Sequence, residues 1–260
     1  MLIDSHCHLD KLDLTPYGGD LSGVLKEANT LGVDGFLCVG VELSEHPTLQ
    51  TIADTHTRVW ISVGVHPNDA KDVPTVSELC TLAAHPKVVA LGETGLDYFR
   101  TEPEHRAAQQ ESFRVHIQAS KKSDLPLIVH TREAREDTLR LLKEEGGARG
   151  VLHCFTESLE MAEKAIDMGF YISFSGILTF KNATLLQEVA KKIPLTTILV
   201  ETDSPWLAPV PYRGKPNYPG YTRYVAECLA LLRGISVEAV AEQTTQNFLT
   251  IFPGTICKKP

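Results

Sequence analysis

Residues 2–8 read LIDSHCH, a short strand-like run that ends on two histidines with a cysteine between them. Side chains alternate along a β-strand, so His6 and His8 project from one face, about 6–7 Å apart along the backbone, and Cys7 projects from the other. Both imidazoles can then reach one metal ion at about 2.0–2.1 Å. We expect Cys7 to pack toward the surrounding helices. Asp4 shares the face of the two histidines, where it either accepts a hydrogen bond from an imidazole or makes a core hydrogen bond unrelated to metal.

Seven further runs of similar character follow. They are GFLCVGV (35–41), VWISVGV (59–65), VVALGE (88–93), PLIVH (126–130), GVLHCF (150–155), FYISFSG (170–176) and TTILVET (196–202). Segments with helical spacing lie between them, such as 104–123 and 134–146, and the second ends on a glycine suited to terminate a helix. This alternation indicates right-handed crossovers and a parallel sheet. Eight units in 260 residues, with no GxGxxG after the first run, predict an α/β fold of the TIM-like (β/α)₈ barrel type.

Composition favours one globular domain spanning residues 1–260, with 43% hydrophobic and 22% charged residues and no linker-like segment. The chain lacks a signal-like start and any apolar run of about 18 residues, so we expect a cytoplasmic protein with no membrane attachment and no obligate protein partner. Six cysteines without a CxxC pair, the last of them Cys257, favour reduced thiols. The net charge of −8 argues against broad attachment to duplex nucleic acid, so a phosphate-bearing substrate must be bound locally.

Metal-ligand residue types recur at the ends of the runs, which is where a barrel places its chemistry. His6 and His8 end the first run, His66 the third, Glu93 the fourth, His130 the fifth, His153 the sixth and Asp203 the eighth. Any one of these residues could be a capping or hydrogen-bonding group at the end of its strand, but a barrel brings all of them together. The six candidates His6, His8, Glu93, His130, His153 and Asp203 exceed the three protein ligands of one catalytic ion, so we predict a site for two divalent ions. Nitrogen and oxygen donors suit zinc, manganese, nickel, iron or magnesium, and they do not choose among these metals.

The motifs DSHCHLD (4–10), GVHP (64–67), LGETGLD (91–97), VHTR (129–132), HCF (153–155) and ETDSPWLAP (201–209) occur in this order. Together they resemble the TatD family of metal-dependent deoxyribonucleases, a group of amidohydrolase-like barrels, over nearly the whole chain. The resemblance implies that His6, His8 and Asp203 bind one ion, that His130 and His153 bind a second, and that Glu93 bridges both. It also implies hydrolysis at the 3′ ends of single-stranded DNA.

We expect Asp203 and Glu93 to be catalytic, with Asp203 accepting a proton from the attacking water. Substrate contacts are expected from His66, Arg132, Arg213 and Asn217. Each has a structural alternative: His66 can be a cap beside Pro67, Arg132 a salt-bridge partner, and the segment 211–220 a loop stiffened by prolines. Five aromatic residues either stack on bases at the rim or pack against the protein, namely Tyr98, Phe99, Phe155, Trp206 and Tyr212.

The protein is acidic and its expected metal pair is recessed, so the end of a DNA strand should reach the metals more easily than the middle. This predicts exonuclease-like trimming of DNA. One alternative is a hydrolase of a small amide, lactone or phosphate ester, because the same two-ion barrel chemistry serves all of these. A non-catalytic metal-binding scaffold is the other alternative, although the ligand types lack the cysteine-rich closure of structural zinc.

Overall fold

Eight parallel strands follow one another around a barrel in the computed structural model, which describes residues 1–255. They pair in chain order, β1-β2-β3-β4-β5-β6-β7-β8. Their bounds are β1 Leu2–Cys7, β2 Val33–Cys38, β3 Val59–Val63, β4 Val88–Asp97, β5 Leu127–Arg132, β6 Gly150–Leu152, β7 Phe170–Phe174 and β8 Ile198–Val200. The barrel closes after β8, where the Asp203 amide donates to the His6 carbonyl at 2.9 Å and the His8 amide donates to the Ser204 carbonyl at 2.8 Å. The predicted barrel is confirmed, and every strand falls within or overlaps its predicted run.

Helices connect consecutive strands and surround the barrel. They are α1 Leu21–Thr30, α2 His46–Thr55, α3 Val76–Leu82, α4 Arg106–Ser123, α5 Arg135–Glu145, α6 Leu159–Asp167, α7 Thr184–Lys192, α8 Thr222–Arg233 and α9 Val237–Ile251. Four of them begin at a side chain that accepts a hydrogen bond from the first turn, namely Asp20, Thr75, Ser158 and Ser236. The predicted helices of residues 104–123 and 134–146 are α4 and α5, and α5 ends at Gly146, whose φ of 59° suits glycine.

The ninth helix seals the barrel at the amino ends of the strands. Phe248 and Ile251 of α9, together with Phe252 directly after it, share an apolar cluster with residues from every strand. The ring centroids of Phe248 and Trp60 of β3 lie 5.6 Å apart. Asn247 donates to the carbonyls of Leu195 and Ile198, at the start of β8. This end of the barrel is therefore a packed core, and the carboxyl ends of the strands are left open for chemistry.

The fourth strand is longer than the run that predicted it. It continues to Asp97, so Glu93 lies in mid-strand, within a shift of the β4–β5 register. A Cβ atom at Gly95 would lie 2.1 Å from the His130 carbonyl oxygen, and the φ of Gly95 is 125°. Only glycine permits this close approach, which brings β5 and its histidine against β4.

The cysteines that the structure describes are free thiols: Cys7, Cys38, Cys80, Cys154 and Cys228. Cys7 is buried and its thiol donates to the Leu37 carbonyl at 3.4 Å, so it packs away from the imidazoles as predicted. Cys257 lies outside the described residues. Within residues 1–255, no helix combines the length and hydrophobicity needed to cross a bilayer.

Candidate metal centre

Two histidines and an aspartate converge where β1 meets the segment after β8. The Nε2 atoms of His6 and His8 lie 3.2 Å apart, and Asp203 Oδ1 lies 3.6 Å from the first and 3.5 Å from the second. Glu93 Oε2 approaches the same pair at 3.3 Å and 4.0 Å. We call His6, His8 and Asp203 the first set. Asp203 has a positive φ of 56°, which the hydrogen bond from its amide to the His6 carbonyl helps to hold.

A second set gathers around the other oxygen of the same glutamate. Glu93 Oε1 lies 2.8 Å from His153 Nε2 and 3.1 Å from His130 Nδ1, and these two nitrogens are 3.3 Å apart. Glu93 is therefore shared, with one carboxylate oxygen facing each set. Burial alone would raise the pKa of Glu93, but the surrounding imidazoles outweigh it and hold this pKa well below its usual range.

The spacing of these atoms fits divalent ions. Ligand atoms of a four-coordinate ion with bonds of about 2.0–2.2 Å lie about 3.3–3.6 Å apart, and most separations within the two sets fall within a few tenths of this range. Several overlapping groups of three meet the distance requirement for a shared ion: His6, His8 and Asp203; His6, Glu93 and His153; and His66, Glu93 and His130. The structure thus brings all six expected ligands together, with nitrogen and oxygen donors only.

His66 lies closer to this centre than the sequence indicated. Its Nδ1 accepts a hydrogen bond from the Asn68 amide at 3.2 Å, which is the predicted cap, while its Nε2 lies 3.4 Å from Glu93 Oε1. Burial lowers the pKa of His66 to about 4, so the ring is neutral near pH 7. A neutral ring that accepts at Nδ1 carries its proton on Nε2, which makes this atom a hydrogen-bond donor facing the centre.

Three imidazoles have a partner at the nitrogen that points away from the centre. His8 Nδ1 lies 3.0 Å from the Val39 carbonyl, His130 Nε2 lies 3.4 Å from Asp97 Oδ2, and His153 Nδ1 lies 3.3 Å from Glu201 Oε1. Such acceptors hold the outer nitrogen protonated and leave the inner nitrogen free to bind metal.

Asp97 and Glu201 were missed in the sequence analysis as partners of the ligands. Both are buried, and Glu201 also accepts a hydrogen bond from the Cys154 amide at 2.8 Å. Burial raises the pKa of Asp97, but the nearby His130 ring and a hydrogen bond from the Arg100 amide bring it to about 2. The available signal was that each is an acidic residue at a strand end and within the same motif as an expected ligand, Asp97 with Glu93 and Glu201 with Asp203.

Comparison with known proteins agrees with this centre. The model of the family described as TatD related DNase matches residues 3–253. The chain belongs to the TatD family.

The metal-dependent hydrolase YcfH of Escherichia coli strain K12 is 50% identical over 253 residues, which cover 96% of this chain and 95% of YcfH. YabD of Bacillus subtilis strain 168, also named a metal-dependent hydrolase, is 40% identical over 257 residues, or 97% of this chain and 99% of YabD. The crystal structure of YjjV, a TatD homologue of Escherichia coli K12, has a TM-score of 0.88 at 29% identity and covers 97% of this chain and 98% of YjjV. This TatD protein is a metal-dependent hydrolase.

The pocket of this TatD protein opens above the metal centre and has a volume of about 770 Å³. His8, His66, Glu93, His130, His153 and Asp203 all line it. Arg132 lines the rim, with its guanidinium carbon 3.9 Å from the centroid of the Phe99 ring. Arg132 therefore lines the same pocket as the expected metal ligands, and it makes a cation–π contact in place of the alternative salt bridge.

Two other expected substrate contacts are not found at the pocket. Asn217 is fully buried and donates to the carbonyls of Thr202 at 2.9 Å and Trp206 at 2.5 Å, so the prediction of a substrate contact is corrected to a structural role. Arg213 is exposed and lies over the Phe180 ring at 4.1 Å, outside the pocket lining. The Asn217 backbone amide also donates to the Pro205 carbonyl at 3.2 Å, so this residue is held inward at both its side chain and its backbone.

Asp4 also takes the structural alternative. Its Oδ1 accepts hydrogen bonds from the amides of Thr202 at 2.9 Å and His6 at 3.3 Å, and its Oδ2 accepts from the Thr202 hydroxyl at 2.5 Å. The His6 Nδ1 atom has no hydrogen-bond partner among the described residues. Asp4 therefore ties β1 to the segment after β8 and does not orient an imidazole.

Proposed function

We propose that this protein is a deoxyribonuclease that trims the 3′ ends of single-stranded DNA with two divalent cations. The observation that carries the proposal is the division of the Glu93 carboxylate between two sets of ligands at the floor of an open pocket. His6, His8 and Asp203 would hold one ion, and His130 and His153 would hold the other. Cations held there would supply Lewis acidity and make a bound water acidic enough to act as a nucleophile near neutral pH.

The protein's own groups supply proton transfer and phosphate binding. Burial raises the pKa of Asp203, but contacts with His8 and His6 outweigh it and lower the pKa below its usual value, so the carboxylate is free to accept a proton. His66 Nε2–H faces the same space and can donate to a phosphoryl oxygen. Arg132 at the rim can bind the adjoining phosphate.

The shape and charge of the molecule favour a strand end over a duplex. The metal ligands lie at the floor of the pocket, most of them buried, and the net charge of −8 gives no broad attraction for a long polyanion. A single strand can thread its terminus to such a floor, which supports exonuclease-like trimming. The proposal places the enzyme in the cytoplasm, where its free thiols stay reduced.

Digestion of end-labelled single strands across several divalent ions, paired with elemental analysis of the purified protein, tests the proposal. We expect stepwise shortening from the 3′ end that stops on chelation. A closed single-stranded circle cut as fast as a linear strand would contradict end trimming. Chelator-sensitive turnover of an amide, lactone or phosphotriester with none on DNA would replace the proposal with the small-molecule hydrolase, and bound metal without any turnover would favour the scaffold.

A further inference from the structure

Two exposed aromatic rings lie at or next to the pocket. Trp206 is one of its lining residues, and Phe99 contacts the guanidinium of the lining residue Arg132. Among the described residues, Phe99 and Trp206 are the large aromatic side chains with high exposure, at 57% and 49%. Exposed aromatic rings of this size are costly in water and commonly mark binding surfaces. Both lie beside the metal pocket, whereas the other strongly exposed apolar side chains are aliphatic.

The other three candidate rim aromatics have partners within the protein. Phe155 is buried. The Arg106 guanidinium carbon lies 4.4 Å from the centroid of the Tyr98 ring, and the Tyr98 hydroxyl donates a hydrogen bond to Asp137. Tyr212 stacks on Tyr221 with ring centroids 4.2 Å apart. Their ring faces are therefore committed to packing.

Each exposed ring is tied to a different set of metal ligands. The Trp206 ring meets His8 edge-on, with centroids 5.0 Å apart. The Phe99 amide donates to Asp97 Oδ1 at 3.1 Å, and the other oxygen of Asp97 faces His130. Trp206 therefore lies beside the first set, and the Phe99 backbone is linked through Asp97 to the second set, while each set faces a different oxygen of Glu93.

The backbone that carries Trp206 is held firmly. Its amide donates to the Asp203 carbonyl at 3.0 Å, and its carbonyl accepts from the buried Asn217 amide. A ring that is already placed loses little conformational freedom on binding, which favours affinity. Arg132 covers one face of Phe99 and Arg100 also lines the pocket, so this side offers positive charge beside an aromatic face.

We infer that Trp206 and Phe99 stack on the two nucleobases that flank the scissile phosphate, one base on each side of the metal centre. This inference rests on the proposed function, since it names how that site takes a single strand. The flat faces of all four bases suit such rings, so the contacts give affinity for unpaired DNA without sequence preference. A paired base cannot reach them, because its faces are covered by its neighbours in the duplex.

The test compares two phosphodiesters in each variant: a thymidine oligomer and methyl p-nitrophenyl phosphate, which has no base. The measured quantity is the ratio of kcat/KM for the oligomer to kcat/KM for the small diester, so that a disturbance of the metal centre affects both terms. We expect Trp206→Ala and Phe99→Ala each to lower this ratio by about 5- to 150-fold. Trp206→Phe keeps a stacking face and should restore most of the ratio.

Leu231→Ala is the matched control, because Leu231 lies in the last turn of α8 and is 83% exposed. Its ratio should equal that of the wild type. If the wild type trims the oligomer and both alanine variants keep the wild-type ratio, the stacking inference is wrong and the proposed function stands. If the wild type hydrolyses only the small diester, the proposed function fails and the inference fails with it.

Fluorescence gives a second measurement that does not depend on turnover. The chain has two tryptophans, and Trp60 is buried, so the difference between the wild type and Trp206→Phe isolates the emission of Trp206. Stacking of a base should quench this emission when the oligomer is added. An unchanged difference signal at saturating oligomer would overturn the role of Trp206.

Discussion

The two ends of the barrel are filled with opposite kinds of side chain. At the amino ends of the strands, Phe248 and Ile251 of α9 and the following Phe252 pack into an apolar cluster. At the carboxyl ends, four histidines and two carboxylates meet within a few ångströms of one another around Glu93. The first end stabilises the folded state, because folding removes its apolar surface from water. The second end buries polar and ionisable groups, which costs free energy unless partners compensate.

This difference separates the residues that hold the fold from those that perform the chemistry. A substitution at the α9 end should change stability and leave the metal centre intact. A substitution at the Glu93 end should change metal binding and turnover with a smaller effect on folding. The following predictions test that separation, beginning with the largest expected effect.

Asp203→Ala should reduce turnover by about 10²- to 10⁴-fold, because it removes the proposed metal ligand and proton acceptor. The protein should still fold, since Asp203 contributes no apolar packing. Turnover measured beside a thermal unfolding curve checks both points. Near-normal turnover would remove Asp203 from the catalytic role.

Phe248→Ala should lower the free energy of unfolding by about 3–5 kcal/mol, because it leaves a cavity in the apolar cluster that α9 forms with the barrel. Metal content and kcat per folded molecule should match the wild type well below the melting temperature. Denaturant unfolding and elemental analysis measure the two quantities. Leu231→Ala, at an exposed position, should change stability by no more than about 0.5 kcal/mol. A loss of metal in the folded Phe248→Ala protein would show that the two ends are coupled.

Glu201→Gln should weaken by about 10- to 100-fold the binding of the ion that we propose for His130 and His153, because the amide is a poorer acceptor for His153 Nδ1–H. Calorimetric titration with the metal reports this without reference to substrate. Glu238→Gln is the control, because Glu238 is an exposed carboxylate in the first turn of α9. Equal affinities in the two variants would contradict the role of Glu201.

Metal affinity should fall as the pH is lowered from about 8 to about 6. Burial lowers the pKa of His8, His130 and His153, but neighbouring carboxylates outweigh it and leave each pKa above the usual 6.5. Raised pKa values mean that these rings bind protons at pH values above 6.5 in the metal-free protein, so the ion must displace them. Proton release measured on metal addition in two buffers checks the sign. Affinity that is unchanged across this range would show that no ligand is protonated.

The strands were predictable because each is a short apolar run, and the convergence of their ends follows from the closure of a parallel barrel. The alternation of side chains placed His6 and His8 on one face, and the structure brings their Nε2 atoms within 3.2 Å. The position of Glu93 within its strand was not predictable, because the close approach at Gly95 and the shift of register depend on contacts with β5.

The motifs contain Asp97 and Glu201, but the sequence could not show which ring nitrogen each carboxylate faces. Which nitrogen of His153 faces Glu201 depends on ring orientation, and a sequence contains no such information. Asn217 was expected at the substrate because it lies in a loop at the mouth. The loop turns its amide inward to bind two carbonyls, and only tertiary packing decides that direction.

The packing of α9 across the amino ends of the strands also determines where a tag or a solid support can be attached without blocking the pocket. The Thr245 hydroxyl donates to the Met1 carbonyl, and Gly254 lies against Val89 at the start of β4, so the beginning of the chain and the last described residues share the face opposite the pocket. A tag or surface attached at Met1 would leave the mouth pointing into solution. Protein immobilised in this way should therefore keep its pocket accessible to substrate.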